Sequence, residues 1–293
     1  MHAHHAPLRA VLLLVGACVA FALLDSAAKY LSQTHHPLLV SWARYVFHVL
    51  VMAALFLPRM GRSIVRTRRP GLQVARGACL ALSTACFFAS LAYLPQAEAT
   101  AIVSIVPILT TVGAVTLMHE RAPRGTWLSL VVSFAGVMLI VRPGTALFGW
   151  QGILPLLAAL FIVGYQLLTR KLTGVDNGLA TLFIGALVAS LMLTVFAPGR
   201  WQMPDGWVQG LLFVATGAIG ALGHLLLVRA YEHGSAAALA PFNYMHSVMA
   251  VVFGLLFFGQ FPDAISLIGM LMIVTTGVAM AALRRIDARP IED

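Results

Sequence analysis

The sequence has very few charged residues. Asp, Glu, Lys and Arg make up 10% of its 293 residues, whereas hydrophobic residues make up 60%. Soluble domains carry about 25% charged residues, so this chain has too few polar side chains to cover a surface that faces water. The scarcity excludes an ordinary soluble protein and places the chain in a membrane.

Carboxylates and cysteines are scarcer still. The chain has 10 acidic residues and three cysteines, Cys18, Cys79 and Cys86, each inside an apolar run. None of the cysteines lies in a loop where a disulfide would join two segments, so a disulfide framework is not expected. Asp25 is the single carboxylate well inside an apolar run. The carboxylate pair of an aspartyl hydrolase is therefore missing.

Motifs for other catalytic chemistry are missing as well. His119 and Glu120 are not followed by a histidine at the spacing of a zinc protease, and the chain has no glycine-rich phosphate loop. These absences argue against an enzyme, a metal site, a cofactor and a built-in ATPase. A channel would need a filter of charges or carbonyls. No filter is visible in the sequence, and a channel stays as a weaker alternative.

Apolar residues are abundant, and they occur in long runs. A helix needs about 20 apolar residues to cross a bilayer, and ten runs meet that length. Every backbone group in lipid must be hydrogen-bonded within its own structure, so runs this long are helices. The sequence predicts an all-α integral membrane protein. Its predicted transmembrane helices are Leu8–Leu31, Pro37–Leu57, Leu72–Tyr93, Ala97–Met118, Gly125–Val141, Gly149–Thr169, Leu179–Phe196, Trp207–Val228, Ser235–Phe258 and Ala264–Leu283.

Basic residues indicate how these helices are oriented. The net charge is +9, but the arginines lie in short loops between apolar runs, which argues against nucleic acid as a partner. If the amino terminus is cytoplasmic, the inside segments hold fourteen basic residues and the outside loops hold only Arg142 and Arg200. This bias predicts that both termini, at 1–7 and 284–293, are short cytoplasmic tails.

One sequence pattern occurs twice. AYLPQAEATAIVSIVP at 92–107 has a looser copy, AYEHGSAAALAPFNYM, at 230–245. The two Ala-Tyr pairs lie 138 positions apart, and Gly136 and Gly277 lie 141 positions apart. A period of this length indicates one duplication of half the chain. The predicted repeats are 8–142 and 149–283, with five helices each.

An odd number of helices in each repeat makes the two repeats enter the membrane in opposite senses. Inverted repeats of this kind are the architecture of secondary transporters, which bind substrate near the midplane between the repeats. The hairpins expected at Leu94–Gln96 and Glu232–Gly234 then lie at opposite faces, one gate at each. The pattern predicts alternating access around a central cavity.

The chain resembles the drug/metabolite transporter superfamily, in its ten-helix EamA-like branch. The resemblance covers Leu8–Leu283 and rests on the two five-helix halves, the alanine-rich fourth and ninth helices, and His-Glu-Arg at 119–121. The family often has Gly-Glu at this point, and the second half has Gly-Gln at 259–260 instead. The two copies therefore need not share one role. Within the family, the chain is most similar to bacterial exporters of aromatic and other neutral amino acids.

The resemblance implies a multi-pass protein of the bacterial inner membrane that exports small metabolites, with aromatic or neutral amino acids as the expected substrates. Transport would be secondary-active or facilitative. Export of drugs or cationic xenobiotics, as elsewhere in the superfamily, is the alternative. The expected partners are a small-molecule substrate and the lipid bilayer, and a monomer is compatible with the sequence.

Charged residues inside the helices are candidates for function, because each costs about 2.5–3.5 kcal/mol in lipid. Asp25 and Lys29 are four residues apart and share a helix face. Arg44 has about the same depth in the second helix, so an Asp25–Arg44 ion pair is expected. It either fixes two helices together or binds the charged end of a substrate amino acid. Tyr165 aligns with Asp25 in the second half.

Two histidines have matching depths in opposite halves. His48 follows Arg44 by one helical turn, and His246 lies about midway along the ninth helix. They form the floor of a binding site, or they accept protons near neutral pH, or they are interior residues that never meet. The sequence leaves these three alternatives open.

Two prolines mark candidate gating hinges. Pro107 and Pro241 each remove a backbone hydrogen bond inside a transmembrane helix. The freed carbonyl is tolerated where it faces a polar cavity or another helix. Ser104 lies one turn before Pro107 and either lines such a cavity or bonds its own backbone. Asn243 and Tyr244 follow Pro241 and are candidates for substrate contact.

Aromatic side chains would suit an aromatic substrate, although large aromatics at helical spacing usually serve packing. Tyr45 and Phe88 are the examples singled out from the sequence. The complete set of predicted substrate contacts is His48, Tyr244, Asn243, His246, Arg44, Asp25, Tyr45, Phe88, Ser104 and Tyr165.

Overall fold

The computed structural model describes residues 7–119, 125–142, 150–196, 198–234 and 239–287, and it contains no strand in these ranges. Glu120 and Arg121 of the predicted family motif lie outside the described residues, as do residues 1–6 and 288–293 of the two tails. The helices are α1 (Leu8–Leu31), α2 (Pro37–Met60), α3 (Pro70–Leu91), α4 (Gln96–Val103), α5 (Val106–Leu117), α6 (Thr126–Val141), α7 (Ile153–Leu172), α8 (Gly178–Thr194), α9 (Trp207–His233), α10 (Met245–Phe258) and α11 (Ala264–Asp287).

Long apolar helices dominate the structure, as the sequence predicts. Among the described residues, seven helical segments are long and apolar enough to cross a membrane, and one of them, Gln96–Leu117, contains both α4 and α5. Three shorter apolar helices are Thr126–Val141, Gly178–Thr194 and Ala264–Met280. The all-α membrane fold is confirmed for the described residues. Ten crossings and two cytoplasmic termini stay predictions.

Both segments that carry the duplicated pattern are interrupted near their proline. α4 ends at Val103 and α5 begins at Val106, so that Pro107 lies in the first turn of α5, where its missing N–H leaves no bond unmade. In the second copy, a short 3-10 helix at Ala240–Tyr244 precedes α10, and Pro241 lies in its first turn. Each proline therefore begins a helical segment. Hinge motion at these points stays a prediction.

The second expected hairpin, Glu232–Gly234, was placed wrongly. α9 continues to His233, so two of these three residues are helical. The last turn is held by side chains, because Arg229 Nη1 donates to Glu232 at 3.1 Å and the His233 ring lies 2.8 Å from the Arg229 carbonyl oxygen. Such pairs three and four residues apart stabilise a helix end.

The two halves of the chain interlock. The most extensive helix contacts join a helix before residue 142 to one after residue 150, namely α1 with α9, α3 with α7, α6 with α11 and α2 with α9. Glycines allow the closest of these approaches. A Cβ at Gly136 of α6 would lie 2.7 Å from the Gly269 carbonyl oxygen of α11, and small residues of this kind let helix backbones meet in membranes.

Candidate functional site

A cavity of about 1240 Å³ lies between helices of the two halves. Its wall contains residues of all helices from α1 to α11 except α2 and α6, and it reaches the exposed Gly174 in the loop between α7 and α8. The cavity therefore opens at this end of the bundle. Its volume is ample for a metabolite with several rings. Six predicted residues line it: Ser104, Pro107, Tyr165, Asn243, Tyr244 and His246.

A carboxylate and a histidine meet beside this cavity. His246 Nε2, at the start of α10, lies 3.0 Å from Asp25 Oδ2 of α1. Asp25 is 4% exposed, whereas His246 lines the cavity, so the carboxylate orients the ring from behind. The pair therefore joins α1 to α10 at the cavity wall. In the described part of the chain, no third His, Cys, Asp or Glu completes a metal site with this pair.

The ion pair expected between Asp25 and Arg44 was wrong. Arg44 Nη1 donates to Thr84 Oγ1 at 2.5 Å and to Tyr45 Oη at 3.1 Å, and the guanidinium packs over Phe88, 5.6 Å from the ring centroid. α2 thus turns Arg44 toward α3, while Asp25 faces α10. Arg44, Tyr45 and Phe88 do not belong to the cavity wall. Their contact with substrate stays a prediction, and this conformation assigns them to the packing of α2 on α3.

The structure does not bring His48 and His246 together, which is one of the three alternatives that the sequence left open. His48 is buried, and its ring packs against that of His224 on α9 with 5.6 Å between the centroids. His224 lines the cavity and packs edge-on against Phe21 at 5.0 Å. His48 therefore lies one layer behind the wall. The reason is the close approach of α2 to α9, where a Cβ at Gly217 would be 2.6 Å from the His48 backbone nitrogen.

Two residues of the cavity wall have buried hydroxyl groups. Thr100 and Tyr244 line the cavity, and neither hydroxyl has a hydrogen-bond partner in the described part of the chain. Ser104 donates to the Thr100 carbonyl oxygen at 2.9 Å and lies 2.7 Å from Ser247 Oγ, so it both bonds its own backbone and lines the cavity. Buried hydroxyls without partners are costly. The Tyr244 hydroxyl lies against Gly277 of α11. Thr100 was missed in the sequence.

Arg76 is the most important wall residue that sequence analysis missed. It is 2% exposed and lies in the second turn of α3. Its Nε donates to Thr169 Oγ1 at 2.7 Å, its Nη1 to the Thr181 carbonyl oxygen at 2.9 Å, and its Nη2 to Tyr165 Oη at 2.7 Å. The available signal was its charge within an apolar run, the signal that singled out Arg44. Its position near the predicted inner end of that run hid it.

The opposite end of the bundle is closed by polar contacts between α1 and the segment that joins α3 to α4. Lys29 Nζ donates to the carbonyl oxygens of Leu91 and Leu94, at 3.0 and 2.6 Å. One turn earlier on α1, Ser26 Oγ donates to Gln96 Oε1 at 2.8 Å. Lys29 thereby satisfies the carbonyls left free at the end of α3. We call these contacts the Lys29 seal.

A second set of contacts lies at the same end. Arg142, after α6, forms an ion pair with Asp263, which also accepts the Ser266 backbone N–H at 2.9 Å. The Arg142 guanidinium holds the pKa of Asp263 well below its usual range. Ser266 Oγ in turn donates to Glu98 of α4 at 3.3 Å. The void beside Glu98 measures only about 10 Å³ and has room for about one water.

At the open end, one carboxylate ties two loops together. Asp176, between α7 and α8, accepts hydrogen bonds from Thr67 Oγ1 at 2.5 Å, the Arg68 backbone N–H at 2.9 Å and Gln73 Nε2 at 3.0 Å. These donors stabilise the charged form, and the Arg68 N–H contributes most to lowering the pKa of Asp176 below its usual value. The cavity mouth is therefore held by the charged form of this residue.

Comparison with known proteins settles the family. The profile of the EamA-like transporter family matches residues 8–142 and 150–282, nearly the whole chain. The chain belongs to the EamA-like transporter family. This EamA-like protein is therefore a membrane transporter of the drug/metabolite transporter superfamily and not an enzyme.

Relatives of this EamA-like transporter carry chemically different molecules. It is 27% identical to the S-adenosylmethionine uptake transporter of Rickettsia conorii, over 86% of this chain and 85% of the relative. It is 28% identical to the riboflavin transporter of Vibrio cholerae, over 94% and 93% of the two chains. It is 27% identical to the pseudopaline exporter CntI of Pseudomonas aeruginosa, over 94% and 96%. Small-molecule transport is common to all three.

A solved protein structure is similar in fold to this chain. Its TM-score is 0.64 with 19% sequence identity, and the match covers 96% of this chain and 99% of the other. At this identity the likeness shows the fold alone.

Proposed function

We propose that this EamA-like transporter exports aromatic or neutral amino acids across the bacterial inner membrane by alternating access, as a secondary-active or facilitative carrier. The cavity carries the proposal. It is open beside Gly174 and closed at the other end by the Lys29 seal. A carrier requires this asymmetry, because its binding site must reach one side of the membrane at a time.

Two contacts between the halves join residues at nearly the offset of the duplicated pattern, which supports the interpretation of 8–142 and 149–283 as inverted repeats. Ser104 and Ser247 lie 143 positions apart and their hydroxyls are 2.7 Å from each other. Ser133 and Thr276 are also 143 positions apart, with 2.5 Å between their hydroxyls. This spacing is close to the offsets of 138 and 141 in the duplicated pattern. Residues related by a two-fold axis meet only near that axis, as inverted repeats require.

The orientation proposed from basic residues favours export. Arg170 and Lys171 end α7, next to the loop at the open end of the cavity. If positive charge marks the cytoplasmic side, the open end faces the cytoplasm and the Lys29 seal faces outward. A substrate would then enter from the cytoplasm and leave after the seal opens. The relatives include both uptake transporters and an exporter, so direction rests on this orientation.

The chemistry of the wall supports an aromatic or amino-acid substrate. Phe21, Tyr165, Tyr231 and Tyr244 supply rings for packing against a substrate ring. His246, Thr100 and the other polar groups described above supply hydrogen bonds. S-adenosylmethionine and riboflavin, the molecules named for two relatives, both contain aromatic ring systems. Aromatic walls with a few polar groups are typical of metabolite sites.

Counterflow in proteoliposomes tests this function. Vesicles loaded with unlabelled L-phenylalanine should accumulate labelled L-phenylalanine transiently and saturably, and protein-free vesicles should not. L-leucine, riboflavin, S-adenosylmethionine and a quaternary ammonium dye are then tested as competitors. Counterflow of L-phenylalanine together with competition by L-leucine supports the proposal. Counterflow of the dye alone favours xenobiotic export, and a non-saturable flux of every probe indicates a pore.

A further inference from the structure

Arg76 places a buried positive charge in the cavity wall, and no carboxylate among the described residues forms an ion pair with it. Arg76 donates to two hydroxyl groups and one backbone carbonyl, and none of these acceptors carries a charge. The ion pairs that the described residues form join Arg142 to Asp263, Arg229 to Glu232 and His246 to Asp25. Arg76 belongs to none of these pairs.

This arrangement is costly unless something compensates the charge. Arg76 is buried in the second turn of α3, and a buried charge is costly unless it is paired. Asp176 is the acidic residue that contacts α3. Its carboxylate accepts hydrogen bonds from Gln73 of α3 and from Arg68 in the loop before α3, and it forms none with Arg76. The missing countercharge would therefore come from the contents of the cavity.

The fold prepares the guanidinium for a ligand. Its plane packs over the Tyr165 ring, with 4.4 Å between Cζ and the ring centroid. α8 has a glycine at the contact, and a Cβ at Gly185 would lie 2.6 Å from Arg76 Nη1. A guanidinium has five N–H donors, and the three hydrogen bonds of Arg76 use one on each nitrogen. One N–H on Nη1 and one on Nη2 are left.

We propose that Arg76 binds a carboxylate of the transported molecule. The inference rests on the proposed function and narrows it, because it selects amino acids over amines and amides with the same side chain. Hydrogen bonds between guanidinium and carboxylate are charge-assisted and stronger than neutral ones. Thr169, Tyr165 and the Thr181 carbonyl hold the guanidinium in place, so little side-chain entropy is lost when the carboxylate binds. Arg76 thus takes the role that sequence analysis offered to Arg44.

Matched probes with and without the carboxylate test this assignment. Inhibition of L-phenylalanine counterflow is measured for unlabelled L-phenylalanine and for L-phenylalaninamide, which keeps the ring and the ammonium group. The wild-type protein should prefer the carboxylate form by about tenfold or more, the range expected for hydrogen bonds to a charged group. Arg76→Gln should lose most of this preference, and Arg76→Lys should keep part of it.

Arg170→Gln is the matched control, because Arg170 also lines the cavity and the substitution removes the same charge. It should keep the preference for the carboxylate. If both variants lose the preference for the carboxylate equally, the preference comes from the overall positive electrostatic potential of the cavity. That result would overturn the assignment. If wild-type protein shows saturable counterflow but no preference, the inference fails and the carrier stands. If no probe gives saturable counterflow, the proposed function fails and the inference with it.

A variant that does not fold would leave no transport to compare, so Thr169→Val provides a second measurement. It removes one hydrogen bond that holds Arg76 and keeps the charge. We expect a weaker preference than in the wild type and a stronger one than in Arg76→Gln. Arg76 is structural if folded Thr169→Val and folded Arg76→Lys both keep the wild-type preference for the carboxylate, and if only variants that do not fold lose it.

Discussion

Asp25 and His246 are 221 positions apart in the chain, yet the carboxylate and the imidazole lie 3.0 Å from each other beside the cavity. Asp25 is buried, and Cys18 and Phe21 on the same helix line the cavity. The pair joins the first helix of one half to α10 of the other. Any motion that separates α1 from α10 must break this contact.

The pair predicts a difference between two substitutions. His246→Ala leaves a buried carboxylate without its partner, and breaking a buried pair in this way costs about 3–5 kcal/mol. Asp25→Asn keeps an oxygen that can accept the imidazole N–H, so the loss should be nearer 1 kcal/mol. Thermal unfolding in detergent measures both. If Asp25→Asn is the more damaging substitution, the carboxylate has another essential role.

Transport driven by a pH gradient should be more sensitive to the Asp25→Asn substitution than either stability or counterflow. The amide of asparagine cannot take up or release a proton, whereas a carboxylate has a form with a proton and a form without one. We expect counterflow by Asp25→Asn to keep most of its rate, because exchange needs no net proton movement. Uptake driven by an imposed pH gradient should be lost. Equal rates of gradient-driven uptake in the variant and the wild type would exclude the pair from proton coupling.

The Lys29 seal predicts that one substitution changes which side is open. Lys29→Met keeps an apolar stem but removes the hydrogen bonds to Leu91 and Leu94. The closed end should then open more often, because a population shifts when one state alone loses contacts. The test uses a variant in which the native cysteines are replaced by serine and Val103, in the cavity wall, by cysteine. Opening of the closed end is measured in spheroplasts as labelling of this cysteine from the outer side. Labelling by a membrane-impermeant maleimide should rise several-fold.

The control for this experiment is Lys171→Met. Lys171 is exposed at the other end of the bundle, so the same substitution removes a charge without touching the seal. Its labelling rate should match that of the parent. If Lys29→Met leaves the labelling rate unchanged as well, the contacts of Lys29 do not hold the closed end.

Gly277 makes room for Tyr244. A Cβ at Gly277 of α11 would overlap the phenol ring that lines the cavity. Gly277→Ala should therefore lower the melting temperature or push Tyr244 into the cavity, since overpacking typically costs about 1–3 kcal/mol. Tyr244→Ala should rescue Gly277→Ala. Gly210→Ala, where a Cβ would meet nothing within 4 Å, is the control and should be neutral.

Asp176 predicts a loss of stability in acid. Its pKa in the folded protein is lower than the ordinary value of 3.8, because Arg68, Thr67 and Gln73 donate to the carboxylate. The stabilisation is therefore complete at pH values above the ordinary pKa. It is lost as the pH falls through the lower, folded value. Asp176→Asn should remove this part of the pH dependence, measured by unfolding between neutral pH and pH values below 3.8. An unchanged acid transition would contradict it.

Several features of the site followed from the sequence. Pro107 and Ser104 were singled out in the fourth apolar run, and the structure places both in the cavity wall at a break between two helices. Asn243, Tyr244 and His246 follow Pro241 and also reach the wall. Proline was an informative marker, because it cannot donate a backbone hydrogen bond and such a defect in lipid is tolerated at a cavity.

Partners of the charged residues did not follow from the sequence. Depth along a helix can be counted at 1.5 Å per residue, and by that measure Asp25 and Arg44 suit each other. The direction in which each side chain points depends on rotation about the helix axis. α2 directs Arg44 to Thr84, and α1 directs Asp25 to His246.

The sequence by itself determined the membrane class, the positions of the long helices and the family, because a long apolar run in lipid must bond its backbone internally and so become a helix. Only the tertiary structure decided which polar residues face the cavity. A membrane helix that faces lipid on one side and neighbouring helices on the opposite side is apolar on both faces. The sequence therefore has no polar face that would indicate which side points inward. Arg76 carries a charge within an apolar run, but the packing of α3 against α7 decided that it faces the cavity.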